Sequence, residues 1–335
     1  MPLELTPLTA DAFDDWREAT RARLVSLRQE SGMHVGDDAV SHVDAVLDEL
    51  LPAGHDTETS LILTIDDGDA RIGTVWLAAN NGVLFIVDLA FATEPSGRQL
   101  DGLLDELTTL ARRQQVGRLS VALHSSDTAG RGFVEGRGFE VASIQMLLEP
   151  LPSRAAQPSD GGFVVEPMTP ERFASFAAAS EAAFAEDLVA SGRYSAEDAV
   201  VESHRQMELE LPDGIDSEGQ ELFTAHVDGI EVGVLWIGIR RRGGRPHGFI
   251  LDIEVAEDQR RKGYGRDLML AAEREAARLG ADSIGLHVFG FNASAIRLYE
   301  SLGYRRVEER FLLTVRSRHA GSRGNSGAGR ALGPT

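Results

Sequence analysis

The sequence predicts two α/β domains of similar architecture, one after the other along the 335-residue chain. Three observations support this: an internal repeat through both halves, the same order of helical and strand patterns in each half, and a linker-like segment between them. The repeat consists of residues that match at a nearly constant spacing, among them Pro7 and Pro167, Thr9 and Thr169, Phe13 and Phe173, and Trp76 and Trp236. Matches that extend over the whole of each half indicate a tandem duplication.

In the first half, apolar periodicity and turn residues predict an alternation of helices and strands. The predicted elements are a helix over 12–29, a hairpin of strands 60–65 and 70–79, a strand over 83–91, a helix over 99–114 and a strand over 118–123. The second half has the same order, helical segments first and then strand, helix, strand, helix and strand. Alternation of this kind predicts the α/β class.

The domain limits follow from changes in composition. Residues 151–162 are rich in Pro, Ser, Ala and Gly, which is typical of a linker. We therefore place one domain at 1–150 and the other at 163–317. Residues 318–335 are mostly Gly, Ser, Arg and Ala without periodicity, which predicts a disordered tail.

Composition excludes several classes of function. The net charge of −20 argues against general affinity for nucleic acid and mildly favours cationic substrates. No apolar run is long enough to cross a membrane, so no membrane partner is expected. The chain has no Cys, and its His residues show no metal-binding spacing, so we expect no disulfide and no metal site. These features predict a cytoplasmic protein.

A basic, glycine-rich loop is the strongest chemical signal. An apolar strand over 249–255 precedes it, and a helix over 267–279 follows and stops at Gly280. A helix N-terminus offers unpaired N–H groups and a positive dipole to an anion, and glycine allows close approach. We predict that a phosphate-bearing cofactor binds here, at residues Arg260, Arg261, Lys262, Gly263, Tyr264, Gly265 and Arg266.

A second motif extends this signal. A predicted strand over 283–288 is followed by a helix over 292–302, which contains Leu298-Tyr299-Glu300 and ends at Gly303-Tyr304. Together with Arg-Arg-Lys-Gly-Tyr-Gly, this motif resembles the GNAT family of acetyl-coenzyme A-dependent N-acetyltransferases. The resemblance is strong over 163–316 and weak over 2–150. It implies two tandem domains, each with a mixed, mostly antiparallel sheet flanked by helices.

The resemblance also implies a chemistry. Acetyl-CoA would be the acyl donor, and a small amine or a peptide amine would attack it directly. Tyr299 matches the family's usual general acid for the departing thiolate. The main chain at Val255 and Ala256 would pair with the pantetheine arm beside a splayed strand. Asn292 matches a position that contacts this arm, although a helix N-cap is nearly as good an explanation.

The general base is open between several residues. Asp252 and Glu254 are two apart on a strand, so they share one face. His287 is a further candidate, because the unperturbed pKa of a histidine side chain suits proton abstraction near neutral pH. The first half keeps the counterparts of Asp252 and His287 but has Ala90 at the position of Glu254. Because Glu254 tracks the presence of the cofactor loop, it is the first choice and His287 the second.

The first half lacks the features of a cofactor site. Gln99-Leu100-Asp101 stands where the second half has Gly263-Tyr264-Gly265, and Val134 stands opposite Tyr299. An Asp at a phosphate position repels the ligand, so the first domain is predicted to be degenerate and not to bind CoA. Two alternatives to an acetyltransferase stay open: a non-catalytic acyl-CoA sensor or interaction scaffold, and a transferase for a longer acyl group. An oligomer is compatible with the sequence.

Overall fold

The computed structural model describes residues 3–80, 82–156, 162–191 and 194–315. The predicted tail at 318–335 and five residues of the predicted linker, 157–161, lie outside the described residues. None of the helices in these ranges is long and apolar enough to span a membrane.

Both halves have the same succession of elements. The first half contains β1 (Leu3–Pro7), α1 (Phe13–Ser31), α2 (Asp37–Leu50), β2 (Ser60–Asp67), β3 (Ala70–Asn80), β4 (Val83–Phe91), α3 (Gly97–Arg113), β5 (Arg118–His124), α4 (Thr128–Val134) and β6 (Glu140–Leu148). The second half contains β7 (Phe163–Pro167), α5 (Pro170–Ala190), α6 (Ala196–Glu210), β8 (Gln220–Val227), β9 (Ile230–Arg242), β10 (Arg245–Val255), α7 (Tyr264–Arg278), β11 (Ile284–Phe289), α8 (Ala293–Leu302) and β12 (Arg305–Thr314).

All the strands join in one 12-stranded sheet of order β1-β2-β3-β4-β5-β12-β6-β11-β10-β9-β8-β7. Within the described residues, β4 pairs with β5 and β10 pairs with β11 in parallel, and the other neighbours are antiparallel. The predicted fold class, a mixed and mostly antiparallel sheet flanked by helices, is confirmed. What the sequence does not reveal is that the two halves share one continuous sheet.

The halves are joined by an exchange of their last strands. Strand β12 of the second half lies between β5 and β6, and β6 of the first half lies between β12 and β11. In each half, the strand that lies next to the parallel pair (β4–β5 or β10–β11) therefore comes from the other half. The limits 1–150 and 163–317 remain a prediction, since residues 140–148 hydrogen-bond directly to the second half.

The hydrophobic cores follow the same exchange. Ile144 and Met146 of β6 belong to the core cluster of the second half, while Phe311 and Leu313 of β12 pack against that of the first half. Each of these side chains buries apolar surface in the core of the other half, which stabilises the two halves as one unit.

The duplication is also visible in how the helices pack on the sheet. Trp16 of α1 lies edge-on to Trp76 with ring centroids 5.6 Å apart, and Phe176 of α5 lies edge-on to Trp236 at 6.2 Å. Each pair closes a small separate core between the first helices and the hairpin. Both tryptophans are thus core residues, and the repeat extends to side-chain geometry.

Candidate active site

A gap opens between the two parallel strands of the second half. Strands β10 and β11 pair only from Gly248 to Ile250, whereas β10 stays bonded to β9 as far as Val255. A register shift between Ile250 and Asp252 marks the point where the parallel pairing ends. Beyond it, no strand of the described residues pairs with this edge of β10, which gives a splay of the kind that the family resemblance implies.

The main chain at the end of β10 presents one residue to this gap. Neighbouring residues of an antiparallel strand direct their backbone groups to opposite edges. The Ala256 N–H donates to Val232 O on β9 at 2.9 Å, so Val255 faces the gap. There the Val255 carbonyl accepts a hydrogen bond from Arg260 Nε at 3.1 Å. Val255 and Ala256 are both predicted to pair with pantetheine through their main chain. Only Val255 directs its backbone groups into the gap.

The glycine loop leaves the N-terminus of α7 without a side-chain cap. Gly263 is the N-cap residue with φ +98°, and no side chain bonds the first turn of the helix in this described segment. Arg261 also has a positive φ of +66°. The first helical N–H groups therefore remain available to an anion from outside the chain.

The cationic side chains of this loop are exposed and lightly tethered. Arg260 contacts Glu254 at 3.2 Å, Lys262 donates to Gln259 at 2.9 Å, and Arg266 donates to Ser301 at 3.3 Å. Such exposed contacts are weak and are readily exchanged for a phosphate.

Tyr264 and Gly265, the first two residues of α7, pack against neighbouring elements. The Tyr264 ring lies 6.2 Å from the ring of Phe163, at the edge of the core. A Cβ atom on Gly265 would approach Leu298 Cδ2 to 3.5 Å, which is ordinary contact. A small side chain would therefore fit between α7 and α8 at this position.

A cavity of about 520 Å³ lies beside the splay and is lined by residues 249–253 of β10 and 286–289 of β11. Its walls come from α5, α6, the strands β9 to β12 and the start and middle of α8, and from strand β6 of the first half, which contributes Ser143 and Gln145. The aromatic lining consists of Phe184, Tyr194, Trp236, Phe249 and Phe289 together with Tyr299. A concave site that combines aromatic walls with polar and charged groups can bind a small polar molecule.

Tyr299 stands in the cavity with its phenol mostly shielded from bulk water. The residue is 7% exposed, and burial raises the pKa of its hydroxyl to about 12, with the charge of Asp252 acting in the same direction. The hydroxyl is therefore protonated at neutral pH and can donate a proton.

Asp252 lines the same cavity. Its carboxylate accepts a hydrogen bond from Ser180 Oγ of α5 at 2.5 Å. Burial raises the pKa of this carboxyl, and the nearby negative charges of Glu254 and Asp187 raise it further. A carboxylate with a raised pKa is a stronger base than an exposed one.

The other predicted residues are divided between the cavity and the surface. His287 lines the cavity with its ring edge-on to Phe289 at 5.1 Å, and Asn292 lines it while its side chain accepts from the Ala295 N–H at 3.2 Å. Glu254 does not line the cavity, and 54% of its side chain is exposed beside Arg260. The structure thus brings Tyr299, His287 and Asn292 together with Asp252 and leaves Glu254 outside.

Several cavity residues are not indicated by any sequence motif. They are Ser143, Gln145, Ser180, Asp187, Glu308 and Arg310. Ser180 and Asp187 lie on one helix that precedes the recognisable motifs, and the others lie on the exchanged strands. Only the polar counterpart of Ser180 in the first half, Thr20, gives a sequence signal, because a polar residue recurs there on the buried face of a helix.

Comparison with known proteins gives consistent results. The family model described as "Acetyltransferase (GNAT) family" matches residues 185–304. The uncharacterized N-acetyltransferase YycN of Bacillus subtilis (strain 168) is 30% identical over 146 residues, which cover 43% of this chain and 94% of that protein. A mycothiol acetyltransferase of Saccharomonospora viridis is 34% identical over 91 residues, covering 26% of this chain and 30% of that protein.

One solved structure is similar over nearly the whole chain. The GCN5-related N-acetyltransferase from Sphaerobacter thermophilus matches with a TM-score of 0.52 and 17% identity, covering 94% of this chain and 96% of that one. At this identity the match concerns the fold, and it extends through both halves.

Proposed function

Because the chain belongs to the GNAT family of acyltransferases, which use acetyl-CoA, we propose that its second half carries the reaction and transfers the acetyl group to a primary amine. One observation supports this above the others: the end of β10 that is unpaired with β11 lines a cavity with Asp252 and Tyr299, and the same strand leads on to an uncapped helix N-terminus at Gly263. A protein that only senses acyl-CoA has no need of a buried phenol beside a carboxylate.

The donor would lie along the gap between β10 and β11. The N-terminus of α7 at Gly263 would hold the pyrophosphate, with Arg260, Arg261, Lys262 and Arg266 as exposed cations around it. The backbone of Val255 would pair with the pantetheine arm, once the Arg260 side chain turns from the Val255 carbonyl to a phosphate. Acetyl-CoA supplies an activated acyl group, and the residues of the chain supply position and proton transfer.

Proton transfer would be divided between two side chains of the cavity. Asp252 would accept the proton of the attacking ammonium, directly or through water, because it lines the cavity where Glu254 does not. Tyr299 would donate its proton to the departing thiolate. His287 lies on the neighbouring strand of the same cavity and would bind or orient the acceptor.

The first half would serve as scaffold and wall without binding a donor of its own. Its strand β6 adds Ser143 and Gln145 to the acceptor cavity. This role is best tested in the full chain, because a fragment ending near Leu151 would lack β12, the strand that lies beside β5.

The test is calorimetric titration of CoA into the full-length protein and into Gly263→Glu. We expect one site per chain, weakened roughly 100-fold or more by a carboxylate at the helix N-terminus. The matched control is Gly97→Glu, at the first turn of the corresponding helix α3, where a side chain meets no atom within 4 Å. Two sites, or equal effects of both substitutions, would contradict the assignment to the second half.

A further inference from the structure

The acceptor cavity contains more negative than positive charge. Its lining includes four carboxylates, of Asp187, Glu210, Asp252 and Glu308, and two guanidinium groups, of Arg240 and Arg310, together with His287. Glu210 pairs with Arg240 at 2.5 Å, and the charge of Glu308 acts on the guanidinium of Arg28 in the first half.

Asp187 and Asp252 have no such cation. Within the described ranges, no Lys, Arg or His nitrogen lies at ion-pair distance from either carboxylate, and Ser180 is the hydrogen-bond partner of Asp252. The two groups face the cavity from α5 and from β10, and each is partly removed from water. Carboxylates of this kind are costly to keep ionised unless a cation reaches them.

The first half shows which group satisfies a carboxylate at this place. Asp88 is the counterpart of Asp252 on β4, and Arg23 of α1 bonds it through both Nε and the terminal nitrogen. The same repeat places Ala183 of α5 at the position of Arg23. Ala183 lines the cavity, so a small side chain leaves open the space that a guanidinium fills in the first half.

We propose that the acceptor is an amine with a second cationic group, such as a diamine, and that its two charges bind at Asp252 and Asp187 where the first half has Arg23. The reacting amine would lie at Asp252, close to Tyr299, and the second cation at Asp187 on α5. The aromatic side chains Phe184 and Phe289, whose rings are 6.3 Å apart, would cover the alkyl chain between the two charges. This inference rests on the proposed acetyltransferase function of the second half.

The experiment compares three four-carbon acceptors with the full-length enzyme and acetyl-CoA, following thiol release: 1,4-diaminobutane, butylamine and 4-aminobutanoate. We expect kcat/KM for the diamine to exceed that for butylamine by about 10-fold to 100-fold, as for a charge-assisted contact, and 4-aminobutanoate to be the poorest acceptor. Asp187→Asn should reduce the ratio of diamine to butylamine about 10-fold. Glu186→Gln is the matched control, since Glu186 is exposed and lies outside the cavity, and should leave the ratio unchanged.

A second variant restores the arrangement of the first half. Ala183→Arg should place a guanidinium beside Asp252 and lower the acetylation of the diamine at least 100-fold, while CoA binding by calorimetry is retained. Ala182→Arg, at an exposed neighbour outside the cavity, should retain activity. If CoA binds but the diamine has no advantage over butylamine, or if Asp187→Asn leaves the ratio unchanged, the inference is wrong and the proposed function stands. If CoA binds but no amine of the series reacts, the inference is wrong and only the CoA-binding part of the proposed function stands. If CoA does not bind, the proposed function itself fails.

Discussion

The two halves of this chain have the same succession of elements but differ at corresponding sites. The first half fills these sites with its own side chains, and the second leaves them open to ligands. At the N-terminus of α3, the Ser96 hydroxyl accepts from the Gln99 N–H and the Gln99 side chain accepts from the Ser96 N–H, which forms a complete capping box. At the N-terminus of α7, Gly263 offers no side chain. The first half therefore satisfies its own helix with side chains, where the second leaves the same groups to an anion.

The acceptor side differs in the same way. In the first half, Asp88 is paired with Arg23, and His124 is 5% exposed beside Ser31. Burial, together with the nearby charge of Arg28, lowers the pKa of His124 to about 3. In the second half, Asp252 lacks the arginine and His287 faces a cavity. A few side chains thus decide whether this fold has a filled site, as in the first half, or an open cavity, as in the second.

The comparison predicts its largest effect at Tyr299, whose counterpart in the first half is Val134. Tyr299→Phe removes the proposed proton donor and should lower kcat on the order of 1,000-fold. CoA affinity should change little, because the hydroxyl lies in the acceptor cavity and not at the glycine loop. Steady-state kinetics together with calorimetry will separate the two. Unchanged kcat would exclude the phenol as the acid.

The next effect concerns stability in the first half. Arg23→Met leaves the buried carboxylate of Asp88 without its cation, and we expect the free energy of unfolding to fall by about 3 kcal/mol. Arg17→Met on the same helix is the control, because its partner Asp48 is 77% exposed, and it should cost less than about 0.5 kcal/mol. Denaturant titration of both variants measures the difference. Equal losses in the free energy of unfolding would mean that the buried Asp88 pair stabilises the protein no more than the exposed Asp48 pair.

Removal of the corresponding charge in the second half should have the opposite sign. The pKa of Asp252 is raised in the folded state, so ionisation destabilises the native protein as pH rises from the unfolded pKa through the folded one. Asp252→Asn should therefore stabilise the protein by about 1 kcal/mol at neutral pH while abolishing acetylation. The stability difference between variant and wild type should shrink toward pH 4, near the ordinary pKa of the carboxyl. A difference that grows on acidification would contradict this.

The smallest effect separates the two helix caps. Ser96→Ala should destabilise the protein by about 1 kcal/mol through loss of the capping box, without any change in CoA binding. Gly263→Ala imposes a side chain at φ +98°, so it should cost a similar amount and also weaken CoA binding. Thermal unfolding and calorimetry on the pair test this. Weaker CoA binding in Ser96→Ala would assign a ligand role to the first half.

The sequence predicts the local elements well because their signals are local. The strand over 83–91 has the predicted limits, and Asn292 caps α8 as one of its two interpretations proposed. Helix α7 begins at Tyr264, three residues before the predicted start, because Gly263 takes the N-cap position and the first turn has no apolar periodicity.

The exchanged strands and half of the acceptor site could not be predicted in this way. Strand pairing is decided by tertiary contacts, and β6 and β12 have similar apolar patterns that fit either half. The sequence favours Glu254 as the base because this position differs between the halves, whereas the cavity lining favours Asp252; the identity of the base stays a prediction. The first half has Asp88 at the position of Asp252, where it forms an ion pair with Arg23. No pattern along the strand reveals this pair.

The strand exchange also has a consequence for how the protein is made. The edge of β5 that faces away from β4 is covered by residues 308–314, which are among the last of the described residues to be synthesised. Until they leave the ribosome, the first half exposes an unpaired strand edge and part of its apolar core, a surface prone to association with other chains. The first half can therefore complete its sheet only after β12, at the far end of the second half, has been translated.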